Sequence, residues 1–143
     1  MQPRPNPVPE HLTTVTPRLV VADADAALDF YERAFGAQLI GEVFRMPGGG
    51  PIIHAELQIG DAVVMITQAD GEPMRALLCT YWPDVDTAWA RATEAGAQVI
   101  FPLEDQFYGE RGGRLGDPFG QQWMMSMRTE TLTSEEMAAR ASG

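Results

Sequence analysis

Hydrophobic and polar positions follow two different periods along the first half of this chain. Alternation of β-branched or aromatic residues with polar ones predicts four strands, at residues 14–21, 38–46, 52–59 and 62–68. Between the first two strands, apolar residues recur at helical spacing at Ala27, Phe30, Tyr31 and Ala34. Asp23 and Asp25 both suit the start of this helix, and Gly36 suits its left-handed end. The pattern therefore predicts a strand, a helix and three further strands.

The second half of the chain repeats this unit about sixty residues further on. The helix-opening acids return as Asp84 and Asp86, and the Gly-Ala-Gln segment at 36–38 returns at 96–98. Asp86 is predicted to cap a helix, whose apolar face consists of Ala88, Trp89, Ala92 and Ala95. Further strands are predicted at residues 76–82, 97–102, 114–116 and 121–127. Because neither half could bury its apolar face alone, we expect function in the cleft between the halves.

A proline-rich arm and a short tail flank the repeated units. The predicted divisions are a flexible arm at 1–13, a single domain at 14–128 with modules at about 14–68 and 76–128, and a tail at 129–143. The arm is expected to be flexible because it is rich in proline and polar residues. In the tail, Thr133 and Glu136 have the spacing of a capping box, which predicts a short helix.

Composition and charge narrow the classes of function. The formal net charge of −10 argues against binding to nucleic acid or to anionic membranes, which needs clustered positive charge. No apolar run reaches the roughly 18 residues of a membrane span, and the start does not resemble a signal peptide, so we expect a cytoplasmic protein. Lysine is absent, which excludes Schiff-base chemistry on a lysine amine. The single cysteine, Cys79, lies on an apolar strand and is expected to be buried and unreactive.

Several short motifs occur in an order that resembles a known family. They are Phe30-Tyr31, Phe35-Gly36-Ala37, His54-Ala55-Glu56-Leu57, Asp105-Gln106-Phe107-Tyr108-Gly109 and Asp117-Pro118-Phe119-Gly120-x-x-Trp123. With the two Asp-x-Asp helix openings, over about residues 14–128, the chain resembles the vicinal oxygen chelate superfamily, which contains glyoxalases, bleomycin-resistance proteins and extradiol dioxygenases. The resemblance implies an α+β fold of two paired βαβββ modules that form a cupped, mostly antiparallel eight-stranded sheet. It also implies a homodimer.

The resemblance further locates the positions at which metal-dependent members hold their ion. Such members place a His or Gln in the first strand of each module and a carboxylate late in the module. The matching positions here are Thr16, Leu77, Met65 and Met124. Threonine and leucine are not normal ligands at such positions, and thioethers do not hold the divalent metals that this family uses. We therefore predict no metal site and no cofactor.

His54 is the only histidine outside the arm, which contains His11. It shares one face of a predicted strand with Glu56 and Gln58, because side chains alternate along a strand. His54 and Glu56 are candidate catalytic residues, as a general base and its orienting partner. The alternative is a hydrogen-bonded pair on the outer surface with no chemical role.

Aromatic and polar residues at strand ends and in one loop are candidate ligand contacts. They are Phe44, Trp82, Phe107, Tyr108, Arg111 and Trp123. The aromatic rings suit a flat apolar ligand, and the Arg111 guanidinium suits a carboxylate or a phosphate. In the alternative interpretation the rings belong to the core, and Arg111 pairs with Asp105 or Asp117 to hold its loop.

Three functions are compatible with these features. The first is a glyoxalase- or bleomycin-resistance-like protein that binds or sequesters a small organic ligand, such as an aromatic or antibiotic-like compound, without a metal. The second is a lyase, isomerase or dioxygenase of the same superfamily, with His54 and Glu56 as acid–base groups or as metal ligands. The third is an accessory protein whose acidic surface contacts a partner chain. We favour the first, a binding protein rather than a glyoxalase-type lyase.

Overall fold

The computed structural model describes residues 3–143 and confirms the α+β fold of two βαβββ modules. The chain forms two compact units. The first contains the chain up to Glu32 together with Gly36–Met74, and the second contains Arg33–Phe35 together with Arg75–Gly143. The eight strands lie in two four-stranded sheets, one from each module.

The first module has the predicted order of elements. It consists of β1 (Arg18–Val21), α1 (Ala24–Phe35), β2 (Gln38–Arg45), β3 (Ile52–Ile59) and β4 (Ala62–Gln68). The strand order is β1-β4-β3-β2, in which β1 runs parallel to β4 and the other two pairings are antiparallel. The first strand is shorter than predicted and begins after Pro17, which lacks the N–H that a strand ladder needs.

Local chemistry sets both ends of α1. The Asp23 side chain accepts a hydrogen bond from the backbone N–H of Ala26, so Asp23 rather than Asp25 is the cap. Gly36 ends the helix with φ of 68°, a left-handed conformation that glycine adopts without a steric penalty. The buried residues of the first module form one helix stripe and one sheet face, and include Ala27, Phe30, Tyr31, Ala55, Leu57, Val64 and Ile66.

The second module repeats this arrangement and adds a C-terminal helix. It consists of β5 (Leu77–Tyr81), α2 (Val85–Ala95), β6 (Gln98–Asp105), β7 (Glu110–Gly116), β8 (Gln122–Arg128) and α3 (Ser134–Ser142). The strand order is β5-β8-β7-β6, and only the β5–β8 pairing is parallel.

Two predictions for the second module were wrong in detail. The helix cap is Asp84 and not Asp86, because the Asp84 carboxylate accepts from both the backbone N–H and the hydroxyl of Thr87. The polar segment between the strands predicted at 97–102 and 114–116 is mostly strand as well. Only residues 106–109 connect β6 to β7, and Gly109 turns the chain with φ of 82°.

The second sheet has one face against α2 and one face away from it. Gly113 of β7 lies against the Trp89 ring of α2, and the neighbouring Leu115, Trp123 and Met125 are buried. Because side chains alternate along a strand, Arg114 projects from the opposite side. We call that side the open face; on it Arg114, Met124 and Cys79 are paired across β7, β8 and β5. Cys79 is exposed there, so the prediction that it is buried was wrong.

The tail forms the predicted helix. Thr133 and Glu136 make both hydrogen bonds of a capping box at the start of α3. Arg140 of α3 donates to the Glu130 carboxylate and to the backbone carbonyl of Phe107, which ties the helix to the turn between β6 and β7. Among the helices of residues 3–143, none has the length and apolar character that crossing a bilayer requires.

Candidate functional site

Two imidazoles and one carboxylate meet on the first sheet. Nε2 of His54 lies 2.9 Å from Oε2 of Glu56, as expected for neighbours on one face of β3. Nε2 of His11 lies 2.6 Å from the other carboxylate oxygen, Oε1. Both oxygens of Glu56 therefore face an imidazole. We call these three residues the His–Glu cluster.

Hydrogen bonding controls the charge state of this cluster. The hydrogen bond from His54 lowers the pKa of Glu56 below its ordinary value of 4.5, burial opposes that effect, and the hydrogen bond from His11 adds to it. The Glu56 side chain is only 15% exposed. A carboxylate held between two imidazoles can orient their rings and accept or return a proton, which suits acid–base chemistry.

The sequence pattern identified only part of the His–Glu cluster. His54 and Glu56 were predicted as a pair from their spacing, whereas His11 belongs to the arm that was predicted to be flexible. The two contacting residues are 45 positions apart, so periodicity contains no signal for their contact. The only available signal was that the chain has two histidines.

The open face of the second sheet contains a pocket of about 310 Å³. Its lining combines apolar surface with hydrogen-bonding groups, and consists of Phe101, Pro102, Glu104, Gln106, Tyr108, Gly112, Gly113, Arg114, Met124 and Ser126. Glycine at position 112 allows Ser126 to approach the strand, because a Cβ there would lie 2.9 Å from Oγ of Ser126. This volume is at the small end of the range for ligand sites. We call this cavity the Arg114 pocket.

The Arg114 guanidinium makes two contacts with its neighbours, and one of its nitrogens still has no hydrogen-bond acceptor. One terminal nitrogen, Nη1, donates to Oε1 of Gln122 at 3.2 Å. The guanidinium carbon lies 5.3 Å from the centroid of the Phe101 ring, within cation–π range. Nε is buried and has no hydrogen-bond partner among residues 3–143. A buried donor without a partner costs free energy, so this nitrogen favours an acceptor that would satisfy it.

Of the six predicted ligand contacts, the structure places only Tyr108 in the lining of the Arg114 pocket. Phe107 packs edge-on against Tyr108, with ring centroids 5.2 Å apart, and is itself exposed. Arg111 contacts Asp86 and Asp105, with nitrogen–oxygen distances of 2.9 and 3.3 Å. The expected pairing with Asp105 is therefore present, and the Asp86 contact ties β7 to the first turn of α2.

The remaining three predicted contacts are dispersed. Phe44 lies on β2, is exposed, and is paired with His54 across the strands. Trp82 stacks on Phe35 and lines a wide cleft of about 700 Å³, which is distinct from the Arg114 pocket. Trp123 is 1% exposed and donates its indole N–H to Asp117 at 2.9 Å. A core role explains Trp123, and we leave it out of the proposed site.

The four positions that match the family's metal ligands have side chains that do not usually bind its metals. Met65 is paired with Glu56 in the first sheet, and Met124 is paired with Cys79 in the second. Within the described chain, no group of three or more His, Cys, Asp and Glu side chains has an arrangement that could hold a metal ion.

Comparison with protein families identifies the chain. Residues 10–125 match the model of the Glyoxalase/Bleomycin resistance protein/Dioxygenase superfamily. The chain belongs to this superfamily. The His–Glu cluster lies inside the matched region, and so does the lining of the Arg114 pocket except for Ser126, one residue beyond it. The superfamily also explains the doubled module, as the motif order predicted.

Relatives in the same superfamily share much of this sequence. The uncharacterized protein Mb0911c of Mycobacterium bovis is 37% identical over an alignment of 144 positions, gaps included, that covers 90% of this chain and 91% of the relative. The uncharacterized protein Rv0887c of Mycobacterium tuberculosis is also 37% identical, over 90% of this chain and 82% of its own length.

Two solved structures are similar to this chain in architecture. TioX from Micromonospora sp. ML1 matches with a TM-score of 0.66 and 29% identity, over 85% of this chain and all of TioX. A bleomycin-binding protein, solved in complex with bleomycin, matches with a TM-score of 0.60 and 23% identity, over 81% of this chain and 98% of that protein. At that identity the second likeness establishes the fold alone.

Proposed function

We propose that this protein binds a small organic molecule in the Arg114 pocket and needs no bound metal to do so. The observation that carries the proposal is the pocket itself, in which a buried guanidinium nitrogen without a hydrogen-bond partner lies beside the Phe101 ring. A concave site that combines apolar walls with a few oriented donors is the usual form of a ligand pocket.

The donor chemistry of the chain supports a metal-free site. The pocket wall contributes a thioether at Met124, and Met65 occupies the matching position of the first module. Thioethers suit soft ions and not the hard or borderline divalent ions. Membership of a superfamily that includes a bleomycin-binding protein supports ligand binding as the function.

A thermal-shift screen against aromatic natural products tests this proposal. At a ligand concentration of 100 times Kd, we expect a stabilisation of about 2.7 kcal/mol. Met124→Trp fills the pocket, whereas Leu77→Trp puts the same bulk at an exposed position of the same sheet, outside the pocket lining. Hits should lose their shift in Met124→Trp, keep it in Leu77→Trp, and be unaffected by a chelator. The proposal is wrong if no compound shifts the wild type, or if both variants respond alike.

The His–Glu cluster favours a second candidate function, which is acid–base catalysis. Glu56 contacts both imidazoles at hydrogen-bond distance, so a proton taken by one imidazole would be stabilised by the shared carboxylate. The test is turnover of the hemithioacetal of methylglyoxal, with and without added nickel or zinc. Turnover that His54→Gln abolishes while the protein stays folded would favour this candidate over a binding protein.

Exposed apolar side chains support the predicted homodimer. They lie on β2 and on β6, and include Leu39, Phe44, Val99 and Ile100. Exposed apolar patches are typical of association surfaces. Analytical ultracentrifugation across a range of concentrations tests the prediction, and a monomer at every concentration would contradict it. The cytoplasmic location stays a prediction from the sequence.

A further inference from the structure

The Nε donor on one edge of the Arg114 guanidinium has no partner within the described chain. Nη1 is occupied by Gln122, and the face of the group lies over Phe101. Nε is buried and unpaired. Nε and Nη2 form one edge of the planar group, and two parallel N–H bonds from such an edge match the two oxygens of a carboxylate.

We propose that the Arg114 pocket selects organic carboxylates, with the acid group on the Nε–Nη2 edge of Arg114 and the apolar body against Phe101 and Met124. This inference rests on the proposed function, because it names the class of ligand for that same pocket. Because Nε is buried, this mode of binding requires the guanidinium to move so that Nε becomes accessible. Gln122 holds the opposite edge of the group through its hydrogen bond from Nη1.

The charges around the pocket favour a monoanion over a phosphate ester. Arg114 and Glu104 are the two charged residues that line it, so one cation is available and one carboxylate opposes a bound anion. A phosphate monoester carries a charge of about −1.5 to −2 near neutral pH, which increases that repulsion. Gln106 does not add a free donor of the same kind, because its side-chain amide already donates to the backbone carbonyls of Gly112 at 3.0 Å and of Glu104 at 3.4 Å.

Matched naphthalene probes test this inference by isothermal titration calorimetry. Naphthoate, naphthamide and naphthyl phosphate share one apolar body and differ in the polar group. We expect naphthoate to bind about tenfold or more tighter than the other two. Arg114→Gln should weaken naphthoate binding by about ten- to a hundredfold, and should change naphthamide binding by less than about twofold.

Three further variants separate charge from geometry. Arg114→Lys keeps the charge but loses the planar fork, so it should recover only part of the naphthoate affinity. Glu104→Gln removes the opposing charge and should tighten naphthoate binding but not naphthamide binding. Arg75→Gln, at an exposed arginine outside the pocket lining, is the matched control and should leave all three affinities unchanged.

The outcomes distinguish this inference from the proposed function. If naphthoate and naphthamide bind equally and Met124→Trp blocks both, the pocket binds ligands but carboxylate selection is wrong. If none of the probes binds although screen hits occupy the pocket, carboxylate selection is also wrong. If no compound binds the pocket at all, both proposals fail.

Discussion

Nε2 of His11 lies 2.6 Å from Oε1 of Glu56, although 45 residues separate them in the chain. With His54 on the other oxygen, the Glu56 carboxylate accepts two hydrogen bonds, and its pKa is lowered. A group whose pKa is lowered by folding stabilises the folded state above its unfolded pKa, and this contribution is lost as the pH falls through the folded pKa. The stability of the wild type should therefore fall as the pH drops below the ordinary value of 4.5.

Glu56→Gln tests this contact. We expect the variant to lose about 1–3 kcal/mol of unfolding free energy near neutral pH, because two charge-assisted hydrogen bonds are weakened. The difference from the wild type should shrink once the Glu56 carboxyl is protonated in both states. Urea denaturation across a pH series measures it. Asp61→Asn, at an exposed position of the turn after β3, is the control and should lack this pH dependence.

Arg111→Gln tests whether that arginine serves the ligand or the fold. Asp86 and Asp105 both contact the guanidinium and raise its pKa, and both carboxylates are well exposed. Exposed ion pairs contribute little to stability and are screened by salt. We expect a small decrease in Tm that disappears at high salt, and ligand affinity within about twofold of the wild type. A loss of affinity as large as that of Arg114→Gln would instead indicate that Arg111 contacts the ligand.

Asp117 organises the hairpin between β7 and β8. One carboxylate oxygen accepts from the backbone N–H groups of Phe119 and Gln121, and the other accepts from the buried Trp123 indole. Asp117→Asn keeps the size of the side chain but replaces one accepting oxygen with a donor. We expect a loss of about 1–3 kcal/mol, because a buried N–H is left without an acceptor. Urea denaturation measures this loss; the same change at Asp70, an exposed aspartate, should be close to neutral.

Short-range chemistry made most of the fold predictable. Gly36 and Gly96 end both helices in left-handed conformations, as their positions in the repeat predicted. The prediction of Asp86 as the second cap was wrong because Asp86 lies in the first turn of α2, whereas Asp84 precedes the helix and also accepts from the Thr87 hydroxyl. The strands β6 and β7 are longer than predicted. Their ends are rich in polar residues, which is typical of a loop, but backbone pairing between the two strands continues through these ends.

The sites were less predictable because they depend on contacts across the fold. His54 and Glu56 share a strand, so their contact follows from alternation, whereas His11 reaches them only through the path of the arm. Arg114 was overlooked because it stands among glycines in a short strand, without the loop chemistry that drew attention to Arg111. Pairing with Met124 across β7 and β8 places Arg114 on the open face, and the register of those strands is a tertiary property.

Gly113 shows how closely the second sheet packs on its helix. A Cβ at this position would lie 2.7 Å from Cη2 of Trp89 and 2.8 Å from the backbone carbonyl oxygen of Phe101. The ring belongs to a packed helix face and the carbonyl to the neighbouring strand, so moving either one away from a new Cβ would cost free energy. Gly113→Ala should therefore cost about 1–3 kcal/mol of unfolding free energy, measured by urea denaturation.

Gly116→Ala is the matched control for this change on the same strand. Its added Cβ would lie 3.2 Å from the terminal methyl of Ile100, an exposed side chain that can rotate away. We expect Gly116→Ala to cost clearly less than Gly113→Ala. Equal costs would mean that the general effect of replacing a strand glycine, and not the contact with Trp89, determines the result. The added Cβ would point toward α2 and away from the Arg114 pocket, so we expect the ligand affinity of folded Gly113→Ala to stay within about twofold of the wild type.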